Sequence, residues 1–247
     1  MCGRYANSRS DEDLVALLGV GEVVGEPLRP SWNVAPTQRA RAVLERAPRE
    51  EGGGAPVRQL RTLRWGLVPA WAKDVKVGNR MINARVETVT EKPAYKRAAS
   101  RRRLLVPADG YYEWQQREGR SKVPHFLHDP DGEVLTFAGL YELWPDPARA
   151  EDDPERWLWT FTVLTTSASD ALGHIHDRTP VVVPPEMRDD WLDTSLTGLD
   201  LVRQVLDAVP EPRLVPHEVS TAVNSPRNDG PELAEPTGPV EPAGPAG

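Results

Sequence analysis

Trp157-Leu158-Trp159-Thr160-Phe161-Thr162-Val163-Leu164-Thr165-Thr166 is the stretch that decides the fold. Aromatic and branched side chains recur at Trp157, Trp159, Phe161 and Val163, every second position, which is the period of a β-strand with one buried face. Similar runs lie on both sides of it. Arg39 to Leu44 and Leu60 to Val68 read as paired strands, with the three glycines between Pro48 and Pro56 as a disordered hairpin tip. Leu104-Leu105-Val106-Pro107 reads as a short buried strand ending in the turn Ala108-Asp109-Gly110, and Tyr111 to Gln115 resumes extended structure. Pro124 to His128 and Val134 to Leu140 are expected to form a hairpin around Asp129-Pro130-Asp131-Gly132. Helices are expected at residues 11–18, capped by Asp11, and at Pro185 to Leu192 and Thr197 to Leu206. No linker divides these elements. The expectation is one α+β domain over residues 1–228 with a closed, mixed sheet, followed by a disordered Pro/Gly/Glu-rich tail at 229–247.

The composition narrows the function. The chain has 247 residues, 27% charged and 39% hydrophobic, enough for a real core. It has no apolar run approaching a membrane span of about 18 residues, and Met1-Cys2-Gly3-Arg4-Tyr5 is not followed by a signal core, so a cytoplasmic protein is expected. A single cysteine forms no internal disulfide and no multi-thiolate metal site. Of the net charge of −7, Asp229, Glu232, Glu235 and Glu241 supply −4, which leaves −3 for the body. Basic residues gather at Lys96, Arg97, Arg101, Arg102 and Arg103, so the distribution of charge is compatible with a nucleic-acid partner although its sum does not require one.

Five features could carry chemistry. Cys2 follows the initiator, and removal of Met1 would leave an α-amine and a thiol on one residue, with reference pKa values near 7.7–8.0 and 8.5. Such an amine condenses with an aldehyde to an imine, and the adjacent thiol can close a five-membered thiazolidine. The same thiol could instead attack a carbonyl as a peptidase nucleophile. Glu113, between Tyr112 and Trp114, is placed to be a carboxylate of raised pKa that exchanges protons with an amine; the alternative is a solvent-facing strand residue. His176 precedes Asp177-Arg178-Thr179-Pro180; with His174 it could ligate zinc, but further ligands are lacking, and neither metal nor organic cofactor is expected. Asn83 and Arg85 alternate on an extended segment, suited to a sugar hydroxyl beside a phosphate, or else Arg85 pairs with Glu87. Finally, Trp32 to Pro36 and Arg64 to Trp71 set aromatic rings and prolines beside arginine, as single-stranded nucleic-acid sites do, although tryptophan is also ordinary core material.

Together these segments are specific. Cys2-Gly3-Arg4-Tyr5, Trp32-Asn33-Val34-Ala35-Pro36, Arg64-Trp65-Gly66-Leu67-Val68-Pro69, Asn83-Ala84-Arg85-Val86-Glu87-Thr88, Val106 to Trp114, Phe137 to Glu142 and His176 to Pro180 occur in order. In this the chain resembles the SOS response-associated peptidase family, the abasic-site processing proteins, from Cys2 to about Asn228. The resemblance implies a single α+β domain with a barrel-like mixed β core and flanking short helices. It implies a cytoplasmic, monomeric protein that binds abasic sites in single-stranded DNA and crosslinks to them through a thiazolidine on Cys2. By position Asn83 would hold the opened sugar, Glu113 would manage protons on the amine and imine, and His176 would act in ring opening and reversal. Arg4, Asn33, Pro36, Trp65 and Arg85 would line the DNA groove. Thr179 stands where the family usually has Met, and Leu104 where it often has Cys. A cysteine peptidase, or a non-covalent DNA-binding module, are the competing readings.

Overall fold

The computed structural model describes residues 2–46, 54–117, 122–168 and 175–238. The deciding stretch is one long strand, β11 (Trp157–Ser167), and it closes a barrel. It pairs antiparallel with β10 (Leu135–Pro145) and parallel with β5 (Val57–Trp65). The ring is completed by β4 (Arg39–Arg46), antiparallel to β5, and β7 (Arg103–Ala108), antiparallel to β10 and β4. A five-stranded mixed barrel results, in a single α+β domain. The expected alternation holds: Phe161 and Val163 are fully buried against Trp65, Leu63, Ala42, Leu44 and Phe137 inside the barrel. Leu104 is also fully buried and lies over Gly139, where an added Cβ would meet its Cδ1 at 2.6 Å, so the branched leucine and the bare glycine fit one another across β7 and β10.

A second sheet of five antiparallel strands lies beside the barrel, in the order β13 (Val215–Glu218), β9 (Val123–His128), β8 (Gly110–Gln115), β1 (Tyr5–Asn7), β3 (Ser31–Val34). This corrects the hairpin expected at 124–140. The turn exists, with Gly132 donating to the Asp129 carbonyl at φ 75°, but β9 pairs with β8 and β13 while β10 pairs within the barrel. The turn therefore passes the chain from one sheet to the other. Short strand β2 (Glu22–Val24) runs parallel to β5, and short strands β6 (Asn83–Arg85) and β12 (Arg178–Pro180) dock along opposite edges of the C-terminal end of β11.

The first helix, α1 (Asp11–Leu18), is capped by Ser10, whose hydroxyl accepts from the Asp13 amide in a capping box; Asp11 instead pairs with the buried Arg41 guanidinium. Further on, α2 (Val86–Val89) and α3 (Pro93–Arg101) cover the barrel, and the two expected C-terminal helices are present as Arg188–Leu192 and Leu199–Ala208. No helix among the described residues is long and apolar enough to cross a membrane. The tail expectation needs correction at its start. Residues 229–238 pack on the body: Asp229 accepts from the Trp32 amide, Leu233 is buried, and Pro236 bridges to Val219. One well-placed leucine anchors a segment whose composition alone reads as loose. Residues 239–247, residues 48–53 of the hairpin tip expected at 48–56, and His174 lie outside the described residues.

Candidate active site at Cys2

Four elements converge where the second sheet meets the β6 and β12 edges of β11. Cys2 leads into β1 and is fully buried. Its carbonyl accepts a hydrogen bond of 2.7 Å from Asn83 Nδ2 on β6, which fixes the start of the chain against the barrel. The opposite end of the same amide, Asn83 Oδ1, is buried and accepts nothing from the described residues. Such an acceptor costs stability unless something donates to it.

Glu113, on β8, is 3% exposed. Burial raises its pKa; the positive charge of the chain's amino terminus and of His176 opposes the shift without cancelling it. Burial also pushes the Cys2 thiol well above its ordinary range, and the Glu113 carboxyl adds to that. The resting thiol is therefore protonated. His176 precedes β12. Its Nδ1 lies 3.0 Å from the Arg178 amide nitrogen and 2.8 Å from an Asp177 carboxylate oxygen. Nδ1 can accept from the amide when it carries no hydrogen and donate to the carboxylate when it carries one. Arg178 itself is buried and bound to Glu87 and to the Thr165 carbonyl, so Glu87 serves Arg178 rather than Arg85. Thr179 is accommodated by a buried hydroxyl pair with Tyr111, 2.9 Å apart.

The surrounding surface sorts the expected DNA-contacting residues. Arg85 is exposed and Pro36 is partly exposed beside Thr37, which takes a left-handed conformation at φ 73°. Arg4 is half-buried; Nη1 is shared between Asn33 Oδ1 and the Val223 carbonyl, 2.7 and 2.8 Å away, and Nη2 has no hydrogen-bond partner among the described residues. Two residues are corrected. Asn33 is 1% exposed, and its Nδ2 donates to the Ser225 and Asn228 carbonyls at 3.0 and 2.7 Å, so it clamps the C-terminal segment to the body. Trp65 is fully buried, stacked on Phe161 at 6.3 Å, with its indole N–H donated to the Ile82 carbonyl. A ring so placed cannot stack on a base. The exposed indole of the same segment is Trp71, 68% exposed, in the turn closed by the Ala72 amide on the Pro69 carbonyl. The strand β5 ends at Trp65, Leu67 and Val68 stay buried, and the chain reaches the surface only after Pro69.

A family profile described as SOS response associated peptidase (SRAP) matches residues 1–226. The chain belongs to the SRAP family. It is 36% identical over 236 residues to the abasic site processing protein YoqW of Bacillus subtilis, covering 95% of this chain and 99% of that one. It is 31% identical to the abasic site processing protein YedK of Escherichia coli, covering 96% and 100%. Among vertebrate SRAP relatives, the abasic site processing protein HMCES of Gallus gallus is 33% identical, covering 84% of this chain and 66% of that one. A solved structure from Bacteroides thetaiotaomicron superposes with a TM-score of 0.75 at 22% identity, covering 96% of this chain and 100% of that one, and shares this fold.

Proposed function

We propose that this protein recognises abasic sites in single-stranded DNA and captures them covalently through Cys2 after removal of Met1, in the response to DNA damage. The observation that carries the reading is the grouping at Cys2: the chain's only thiol, at position 2, anchored by Asn83 and electrostatically coupled to Glu113, which is in turn coupled to His176. The abasic-site processing names of relatives aligned over almost the whole chain support the same substrate.

The steps follow from the groups present. The opened sugar offers an aldehyde. The Cys2 α-amine attacks its carbon, and a water leaves to give an imine. The thiol then adds across the C=N bond; sulfur bonds to carbon, the thiol proton ends on nitrogen, and a thiazolidine closes with nothing further lost. Glu113 in its ionised form takes the proton that the amine sheds, more readily than an ordinary carboxylate because burial raises its pKa, and returns it to the departing hydroxyl. His176 supplies acid and base for opening the sugar and for the reverse. Asn83 Oδ1 accepts a hydroxyl of the opened sugar. Arg4 Nη2 and Arg85 meet the flanking phosphates, and Pro36 and Trp71 offer flat surfaces to the flanking bases.

The thiol's chemistry favours this order over a peptidase mechanism. A cysteine peptidase needs a thiolate and lowers its pKa to get one; this site raises it. A thiol that acts second, on an imine already formed, has no such need. The test is a denaturing gel after incubation with an oligonucleotide carrying one abasic site. The native protein should give a heat-stable shifted band. Cys2→Ala keeps the amine and should give the band only after borohydride reduction. A stable band from Cys2→Ala without reduction would exclude ring closure by the thiol.

A further inference from the structure

The opposite end of the barrel has no part in the chemistry above. Its inner-face positions follow the same alternation: Trp65, Leu63, Arg61 along β5, Ala40, Ala42, Leu44, Arg46 along β4, and Val106, Leu104, then Arg102 just before β7. The apolar series on three neighbouring strands each end in arginine. β11 contributes Trp159 at the same end. Tyr141 on β10 stacks against its indole at 5.4 Å. The Arg61 and Arg46 guanidinium carbons lie 3.9 and 5.1 Å from the centre of that indole.

The charges here are not balanced in the way they are elsewhere in the molecule. Buried Arg41 has Asp11, and buried Arg178 has Glu87. Arg102 is paired with Glu142. Arg61 has only a neutral hydrogen-bond partner, Gln59 Oε1 at 3.0 Å, and Arg46 makes no hydrogen bond or ion pair with any described residue. Both are half-buried, beside one another, on a shared ring. Burial and then the neighbouring Arg46 charge lower the Arg61 pKa, and Glu22 offsets this only in part. Arginine cannot shed its proton to relieve such crowding, so the cost stands until an anion joins the group. Two forked guanidinium groups converging from adjacent strands suit the several oxygens of a phosphate better than a single carboxylate.

We propose that Arg46 and Arg61, presented over Trp159 at the end of the barrel remote from Cys2, form a binding site for a phosphate group. It is separate from the Cys2 site. Asn83 pairs beside Val163, and Trp159 lies four residues away along β11, roughly 13 Å at the usual strand rise. The stacked Trp65 and Phe161 rings fill the barrel between them. The phosphate could be that of a free polyphosphate compound or of a nucleic-acid backbone passing over the outside; the site recognises what they share.

Thermal unfolding of the full chain in pyrophosphate, against sodium chloride of equal ionic strength, tests the proposal. Pyrophosphate should raise the midpoint in a saturable way and chloride should not. Arg46→Ala and Arg61→Ala should each abolish most of that rise; Arg61→Lys, which retains the charge, should retain part of it. Equal stabilisation by chloride, or an unaltered pyrophosphate shift in both alanine variants, would overturn the site. An undamaged single-stranded oligonucleotide added to the pyrophosphate-bound protein then separates the sources: competition assigns the site to a nucleic-acid backbone, and its absence to a free phosphate compound. The rate of adduct formation at saturating abasic DNA should match wild type in both alanine variants, so loss of the phosphate effect is distinguishable from failure of the Cys2 mechanism.

Discussion

The two ends of the barrel treat buried charge in opposite ways. At the Cys2 end, burial shifts a thiol and a carboxyl toward their neutral forms. At the other end the ionisable groups are arginines, which have no neutral form to retreat to, and they stay half-exposed over an aromatic ring. The same alternating strands supply both ends. What differs is whether the last inward residue can lose its charge. A group that can is available for proton transfer; a group that cannot is available for binding an anion.

The comparison breaks most sharply at Glu113. Glu113→Gln should slow adduct formation by about 10²- to 10⁴-fold, the usual worth of a positioned proton-transfer group, with little loss of DNA affinity. It should also raise thermal stability near neutral pH. The sign follows from the raised pKa: the buried carboxyl favours the fold while neutral, and that advantage is lost as pH rises through its folded pKa. Glutamine has no such loss, so the gap between variant and wild type should close on acidification below about 4.3, the ordinary glutamate value. Melting curves across that range check it; a gap that widens in acid contradicts the assignment.

The tryptophans sharpen the contrast next. Trp65→Ala opens a cavity in the layer between the two ends and should cost about 3–5 kcal/mol in chemical denaturation. Trp71→Ala should leave stability within about 0.5 kcal/mol and instead weaken single-strand binding by about 1–3 kcal/mol. Smaller still is Arg85→Ala, which should flatten the salt dependence of single-strand binding by about 0.7 in the log–log slope; unchanged affinity at low salt would remove Arg85 from the groove. The smallest effect is expected at Arg61→Gln, which relieves repulsion with Arg46 and should raise the melting midpoint slightly at low salt, with the gain fading as salt screens the pair.

Strand content was legible because alternation is local: β11 was readable from its own ten residues. Pairing was not. A strong turn at Asp129 to Gly132 says that the chain reverses, not that the strands on either side meet, and here they belong to different sheets. For the candidate site, residue type at Cys2, Asn83, Glu113 and His176 was legible, but not that separate parts of the fold bring these residues near one another. Exposure was the hidden variable. Trp65, the last residue of β5, and Trp71 sit six residues apart in one segment, one fully buried and the other 68% exposed. The resemblance placed Asn33 in the DNA groove, and the segment it clamps instead lies nearly two hundred residues downstream, beyond the reach of any local pattern. The tail was misread for the same reason: composition averages over Leu233, and one buried side chain is enough to order its neighbours.

Intact-mass measurement of the protein–oligonucleotide adduct tests the Cys2 chemistry most directly. The account predicts a species equal to the chain without Met1, plus the abasic oligonucleotide, less one water, with proteolysis placing the link on Cys2. A chain carrying an uncleavable N-terminal extension should bind the same DNA and give none, because a peptide nitrogen is planar, its lone pair delocalised, and it forms no imine. An adduct of the same stability from the extended chain, or a link mapped to a lysine, would contradict the account.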